Sequence, residues 1–127
     1  MTEREHLLNR LGMRDLEDSA ERLVIEMDNR PDLVNVRGAI QGGLVATLID
    51  IAAGRLAGNV AGPDRDVTTA DMNVHFLAPI VQGPARAEAT VVRAGRRLIV
   101  TSVDVFDAGR DRLAARATLT FAVLEAR

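Results

Sequence analysis

The chain has no cysteine, no lysine, no tryptophan and no tyrosine among its 127 residues. Without cysteine there is no disulfide, no thiolate nucleophile and no cysteine-ligated zinc. Without lysine there is no Schiff-base chemistry, and all 16 basic residues are arginine. Three phenylalanines leave little on which nucleic-acid bases could stack. The net charge is −2 and the arginines are scattered, so no basic footprint for nucleic acid is present. His6 and His75 belong to no His/Asp/Glu cluster at ligand spacing, so neither a metal nor another cofactor is expected. No apolar run reaches the length of a membrane span, and MTEREHLLNR lacks the hydrophobic core of a signal peptide. A cytoplasmic protein without membrane contact is the expectation.

Hydrophobic residues make up 47% and charged residues 27%, an ordinary globular balance, and the length suits one domain over 1–127. Residues 3–11 read as a short amphipathic helix. Residues 21–28 alternate like a strand that breaks at Arg30-Pro31-Asp32. A helix is predicted from about Gln41 to Leu56, apolar on almost every side, and the sequence 58–63 ends it. Strands follow at 67–77, 84–93, 97–106 and 111–124, the last three joined by short glycine-containing links that imply an antiparallel meander. Strict alternation in the first of these puts Ala70, Met72, Val74 and Phe76 on one face, with Thr69, Asp71, Asn73 and His75 on the other. One strand, a long buried helix and four strands make an α+β fold in which a curved antiparallel sheet wraps one helix. Its open edges and half-exposed helix call for a partner, so self-association is expected.

The stretch NVRGAIQGGLVATLID at 35–50 carries the most chemical information. A Gly42-Gly43 pair opens the apolar helix, where unpaired backbone N–H groups suit a carbonyl oxygen or an anion. Asp50 follows about two turns in. An isolated carboxylate on an apolar helix is costly to bury and needs a reason. Arg55 is five residues on, off the spacing of a local helix pair. An acid close to an N–H nest suggests acyl chemistry.

Here the chain resembles the hotdog-fold acyl-CoA thioesterases, in particular their phenylacetate-degradation (PaaI-like) branch, over roughly residues 20–124. That family shows an Asn or Gln, then G-x-x-H-G-G, then an acid nine residues after the His. Asn35, Gly38, Gln41-Gly42-Gly43 and Asp50 keep that spacing. A second signature appears as Thr69, Asp71-Met72-Asn73-Val74 and Phe76-Leu77-Ala78-Pro79, and a third as Gly83, Val91 and Gly95-Arg96-Arg97. The one departure is Gln41, which stands where the family has His. Glutamine exchanges hydrogen bonds but cannot carry a proton at neutral pH.

The resemblance implies a homodimer or dimer of dimers that hydrolyses acyl-CoA thioesters at a subunit interface. Asp50 would be the carboxylate, either activating water as a base or attacking as a nucleophile. The N–H of Gly42 would polarise the carbonyl, beside Gly43. Asn35 would orient the carbonyl or water, unless it only forms the turn, and Gln41 would contact substrate or cap the helix. Thr69 would hold the water, or the Asp50 of the neighbouring subunit, with Thr68 as its substitute if the register differs by one. Arg93, Arg96 and Arg97 are solvated turn residues or contacts for the phosphates of CoA. The alternative from the Gln41 replacement is a non-catalytic hotdog protein that binds acyl-CoA or another acyl ligand.

Overall fold

A computed structural model describes residues 6–125. A 3-10 turn (Leu7–Arg10) leads into strands β1 (Met13–Asp18) and β2 (Arg22–Met27), and a second such turn (Pro31–Leu33) precedes helix α1 (Gly42–Ala61). Four strands complete the chain: β3 (Arg65–Phe76), β4 (Ala85–Ala94), β5 (Leu98–Asp107) and β6 (Arg112–Glu125). All six strands form one antiparallel sheet in the order β1-β2-β4-β5-β6-β3. The sheet curves around α1, as the resemblance implies.

Composition explains the close fit. The inner face of β4 consists of Ala85, Ala87 and Ala89, all wholly buried, so the helix can approach the middle of the sheet. Against it α1 turns Leu48, Ile49, Ala52, Ala53 and Leu56, each fully buried. Each of the larger three contributes about 1.5–3 kcal/mol of burial. Phe121, Leu119 and Val103 close the core from β5 and β6.

Several expectations need correction. Within the expected 3–11 helix, the described residues hold only the 3-10 turn, and residues 3–5 lie outside them. Gly12, at φ 67°, turns the chain, and its carbonyl accepts the N–H of Asp28 at 3.1 Å. The strand that follows, β1, is unpredicted. It is an edge strand whose last five residues are exposed, so no alternation betrays it in the sequence. Helix α1 runs five residues beyond Leu56, to Ala61, and ends where Gly62 (φ 88°) returns its N–H to Gly58 O at 3.1 Å. With 20 residues and a mean hydropathy of 1.4 it has the length and apolarity of a membrane span, contrary to expectation, yet its apolar side lies on the sheet.

A bulge in β3 bears on the site. Thr69 pairs with Phe121 but Asp71 pairs with Thr120, so a bulge absorbs Ala70. Cross-strand partners share a face. Thr69 therefore looks inward with Phe121, alongside Met72 and Val74, rather than outward with Asp71. A strict two-residue period across the bulge inverts every residue before it.

Candidate active site

The segment before α1 is stitched from both sides. Asn35 donates its N–H to Ala39 O (2.7 Å), and its Oδ1 accepts the N–H groups of Arg37 (2.9 Å) and Ala39 (3.2 Å). Asn35 is thus the organiser of its own turn, where Gly38 takes φ 81°. Ile40 donates its N–H to Ile80 O at 3.0 Å and Gln41 to Leu33 O at 2.9 Å. These bonds aim the start of α1. Gly42 and Gly43 are its first two residues, no side chain caps them, and their amides have no acceptor within the helix. The Gln41 side chain is exposed and reaches only Val34 O, at 3.5 Å.

Nothing in the fold demands this glycine pair. Both residues are helical, and neither has a positive φ. A Cβ on Gly42 would meet the Phe76 ring at an ordinary 3.6 Å, and one on Gly43 would meet nothing within 4 Å. Glycine in a helix costs about 0.5–1 kcal/mol relative to alanine. The gain is an uncluttered backbone at the first turn of α1, with no side chain on either residue.

Gly42 lines a cavity of about 340 Å³ together with Asn35, Val45, Phe76, Ile80, Ala114 and their neighbours. No charged side chain lines it. Phe76 and Leu77, more than half exposed, form an apolar lip. Sequence reasoning named Asn35 and Gly42 here but missed the walls, which come from the 76–80 segment and the start of β6. The signal was the Phe76-Leu77-Ala78-Pro79 run, which reads as a strand end and as part of a family signature but not as a wall of the site.

Asp50 is half-buried on α1, and the hydroxyl of Thr69 donates to its Oδ1 at 2.8 Å. The contact is made within one chain, where the resemblance had pointed to a neighbouring subunit. Arg55 turns the other way and pairs with Asp15 (2.9 Å) and Asp18 (2.7 Å) of β1. That pairing holds the Asp15 carboxyl below its usual range, chiefly through the guanidinium hydrogen bond. Among the described residues no arginine pairs with Asp50. Thr68, opposite Ala122, lies on the outer face and is exposed.

Arg93, Arg96 and Arg97 sit in and beside the β4–β5 turn. Arg96 and Arg97 join Arg65 along a groove of about 340 Å³, and all three turn arginines line a second of about 490 Å³. The Arg97 carbonyl accepts the N–H of Val123, which pairs with Val67 near the start of β3, whereas the Gly42 cavity meets β3 at Phe76. Most of the strand, about 30 Å, separates the two. Gly42 and Asp50, eight residues apart on α1, are separated by about 12 Å along the axis. A donor sits about 3 Å from the carbonyl oxygen and a base reaches the carbonyl carbon through one water, so residues this far apart on one helix are poorly placed to serve the same thioester. The sequence-predicted residues thus form three groups in one chain: Asn35, Gln41, Gly42 and Gly43; Asp50 and Thr69; and the arginines.

Comparisons with known proteins identify the family and match the fold. A family model described as the thioesterase superfamily matches residues 37–114. A protein of Saccharolobus solfataricus with a provisional esterase name is 30% identical over 125 residues, covering 97% of this chain and 81% of its own. The crystal structure of a thioesterase family protein from Silicibacter pomeroyi superposes with a TM-score of 0.88 at 28% identity, covering 96% of this chain and 91% of that one. A Bacillus halodurans protein crystallised with CoA gives a TM-score of 0.73 at 30% identity, covering 80% of this chain and 66% of that one.

Proposed function

The chain belongs to the thioesterase superfamily of hotdog-fold thioester hydrolases, and on that premise we propose that it hydrolyses acyl-CoA thioesters at a site shared by two copies of itself. The observation that carries the reading is the helix α1 itself. It has an uncapped glycine N-terminus at an apolar cavity, and a carboxylate held by Thr69 two turns further on. The CoA found with the Bacillus halodurans protein supports CoA as the thiol.

Strand β3 is an edge of the sheet, 12 residues long, with Met72 and Phe76 exposed beside it. Two copies pairing antiparallel along β3 would cover this edge and set the start of one strand against the end of the other. The Asp50–Thr69 pair of one copy then approaches the Gly42 cavity of its partner, and the arginine turn of that same first copy approaches the outer end of the cavity. The acyl carbonyl accepts the Gly42 N–H. Thr69 occupies one oxygen of Asp50 and leaves the other to take a proton from water. Water oxygen attacks the carbonyl carbon, the C–S bond breaks, and the departing CoA thiolate receives a proton. Asn35 fixes the turn at the cavity mouth, Gln41 lies at its rim, and Arg93, Arg96 and Arg97 meet the phosphates of CoA.

Thiol release from a panel of acyl-CoAs tests this directly. Asp50→Asn is expected to lower kcat about 10²- to 10⁴-fold, the range for loss of a positioned base. Full turnover in that variant overturns the mechanism. Tight acyl-CoA binding without turnover in either protein assigns the chain to the binding modules instead.

A further inference from the structure

Asp107, the last residue of β5, is a wholly buried carboxylate with no part in the chemistry above. Its oxygens face the loop between Pro79 and β4. Oδ2 accepts the N–H groups of Val81 (3.1 Å) and Gln82 (3.2 Å), and Oδ1 accepts that of Gly83 (2.7 Å). From the opposite side Asn29 donates its amide to the carbonyls of Val81 (3.0 Å) and Gln82 (3.2 Å). There is no slack between these parts. A Cβ on Gly83 would come within 2.6 Å of the Asn29 Cβ, and one on Gly109 within 2.6 Å of the Gly83 carbonyl oxygen.

The clamp ends where the cavity begins. Ile80, the residue before it, is 2% exposed and lines the cavity, and its carbonyl accepts the N–H of Ile40. Ile40 lies two residues before Gly42. A path of hydrogen bonds and intervening peptide links therefore runs from Asp107 through the loop to the start of α1.

We infer that Asp107, assisted by Asn29, is a positioning residue that sets the Ile80 wall of the acyl cavity and, through Ile40, the place of the Gly42 amide. The inference rests on the proposal that this cavity receives the thioester. An ionised acceptor suits the task, because bonds to it are about twice as strong as neutral ones. Burial pushes the Asp107 pKa up, but the N–H groups of Gly83, Gln82, Val81 and Gly109 outweigh it and leave the group below the ordinary carboxylate range. Asparagine cannot substitute, since its NH2 would face donors.

Hydrogen exchange and kinetics on Asp107→Asn test the inference, with Asn29→Ala as the second variant if the first does not fold. The amide of Ile40 is expected to exchange at least about tenfold faster while the middle of α1 keeps wild-type protection. The KM for octanoyl- and phenylacetyl-CoA should rise about tenfold, with acetyl-CoA, too short to reach the wall, little changed. Unchanged exchange at Ile40 overturns the inference. So does a KM for octanoyl- and phenylacetyl-CoA that stays as it was relative to acetyl-CoA, since the Ile80 wall would then not depend on Asp107. If the wild type turns over no thioester, the function proposed above fails, and exchange at Ile40 still decides whether the clamp holds the start of α1.

Discussion

Gly42 sits at the first position of α1, where proline is as acceptable as glycine. The missing N–H is one that the helix does not use, and the fixed φ suits the first turn. Gln41, at φ −51° and ψ 132°, already has the extended backbone that a following proline requires. Gly42→Pro therefore deletes one donor with little disturbance. The expected result is an unchanged circular dichroism spectrum with kcat lower by about 10²–10³-fold, the usual effect of losing an oxyanion donor. Wild-type kcat in this variant would remove Gly42 from the mechanism. The sequence singles out this residue because the signal is local: a glycine pair that opens an apolar helix. Asp50 was legible for a similar reason, as an acid with no partner at helix spacing. Asp107 was not, because its four partners are backbone N–H groups that no side-chain pattern announces.

At the scale of elements, the bulge in β3 decides which threonine can reach Asp50. Ala70 is the extra residue, and it swaps Thr69 inward and Thr68 outward. Thr69→Ala is expected to lower kcat about tenfold by freeing the Asp50 carboxylate, whereas Thr68→Ala should change activity and stability little. A larger loss from Thr68→Ala would mean that the register is wrong. A bulge is not visible as a change of period over so short a strand, which is why alternation misplaced Thr69 while the strand itself was found. β1 escaped for a related reason, since an exposed edge strand carries no buried face to pattern. The β5–β6 turn yields a prediction of its own. Asp107 titrates below the ordinary carboxylate range when folded, so it stabilises the fold above about pH 4, the unfolded value, and this is lost as pH falls through the folded value. Urea titrations should show wild type more stable than Asp107→Asn at pH 7, with the gap narrowing below about pH 4. A gap independent of pH would show that the charge is not what the loop uses.

At the scale of the whole molecule, the question is how Gly42 and Asp50, whose backbones lie about 12 Å apart along one helix, meet at one carbonyl. Neither can slide along a continuous helix whose core face is fully buried, and Thr69 tethers Asp50 to its own strand. In the proposed dimer a second copy would resolve the geometry, since antiparallel pairing along β3 would bring the far end of one chain to the near end of the other. Two defective chains should then repair each other. In a dimer of Gly42→Pro with Asp50→Asn, one shared site carries both defects and the other carries neither. Random exchange of equal amounts makes half the dimers mixed, each with one sound site of two, so about a quarter of wild-type activity should return. Sites confined to single chains would contain one defect each, and the mixture would stay as inactive as its parents. Mixing after mild denaturation and refolding, followed by a thiol-release assay, measures that fraction. A recovery near a quarter would place Gly42 and Asp50 of different chains at one thioester, and no recovery would require a rearrangement of α1 that its packing opposes.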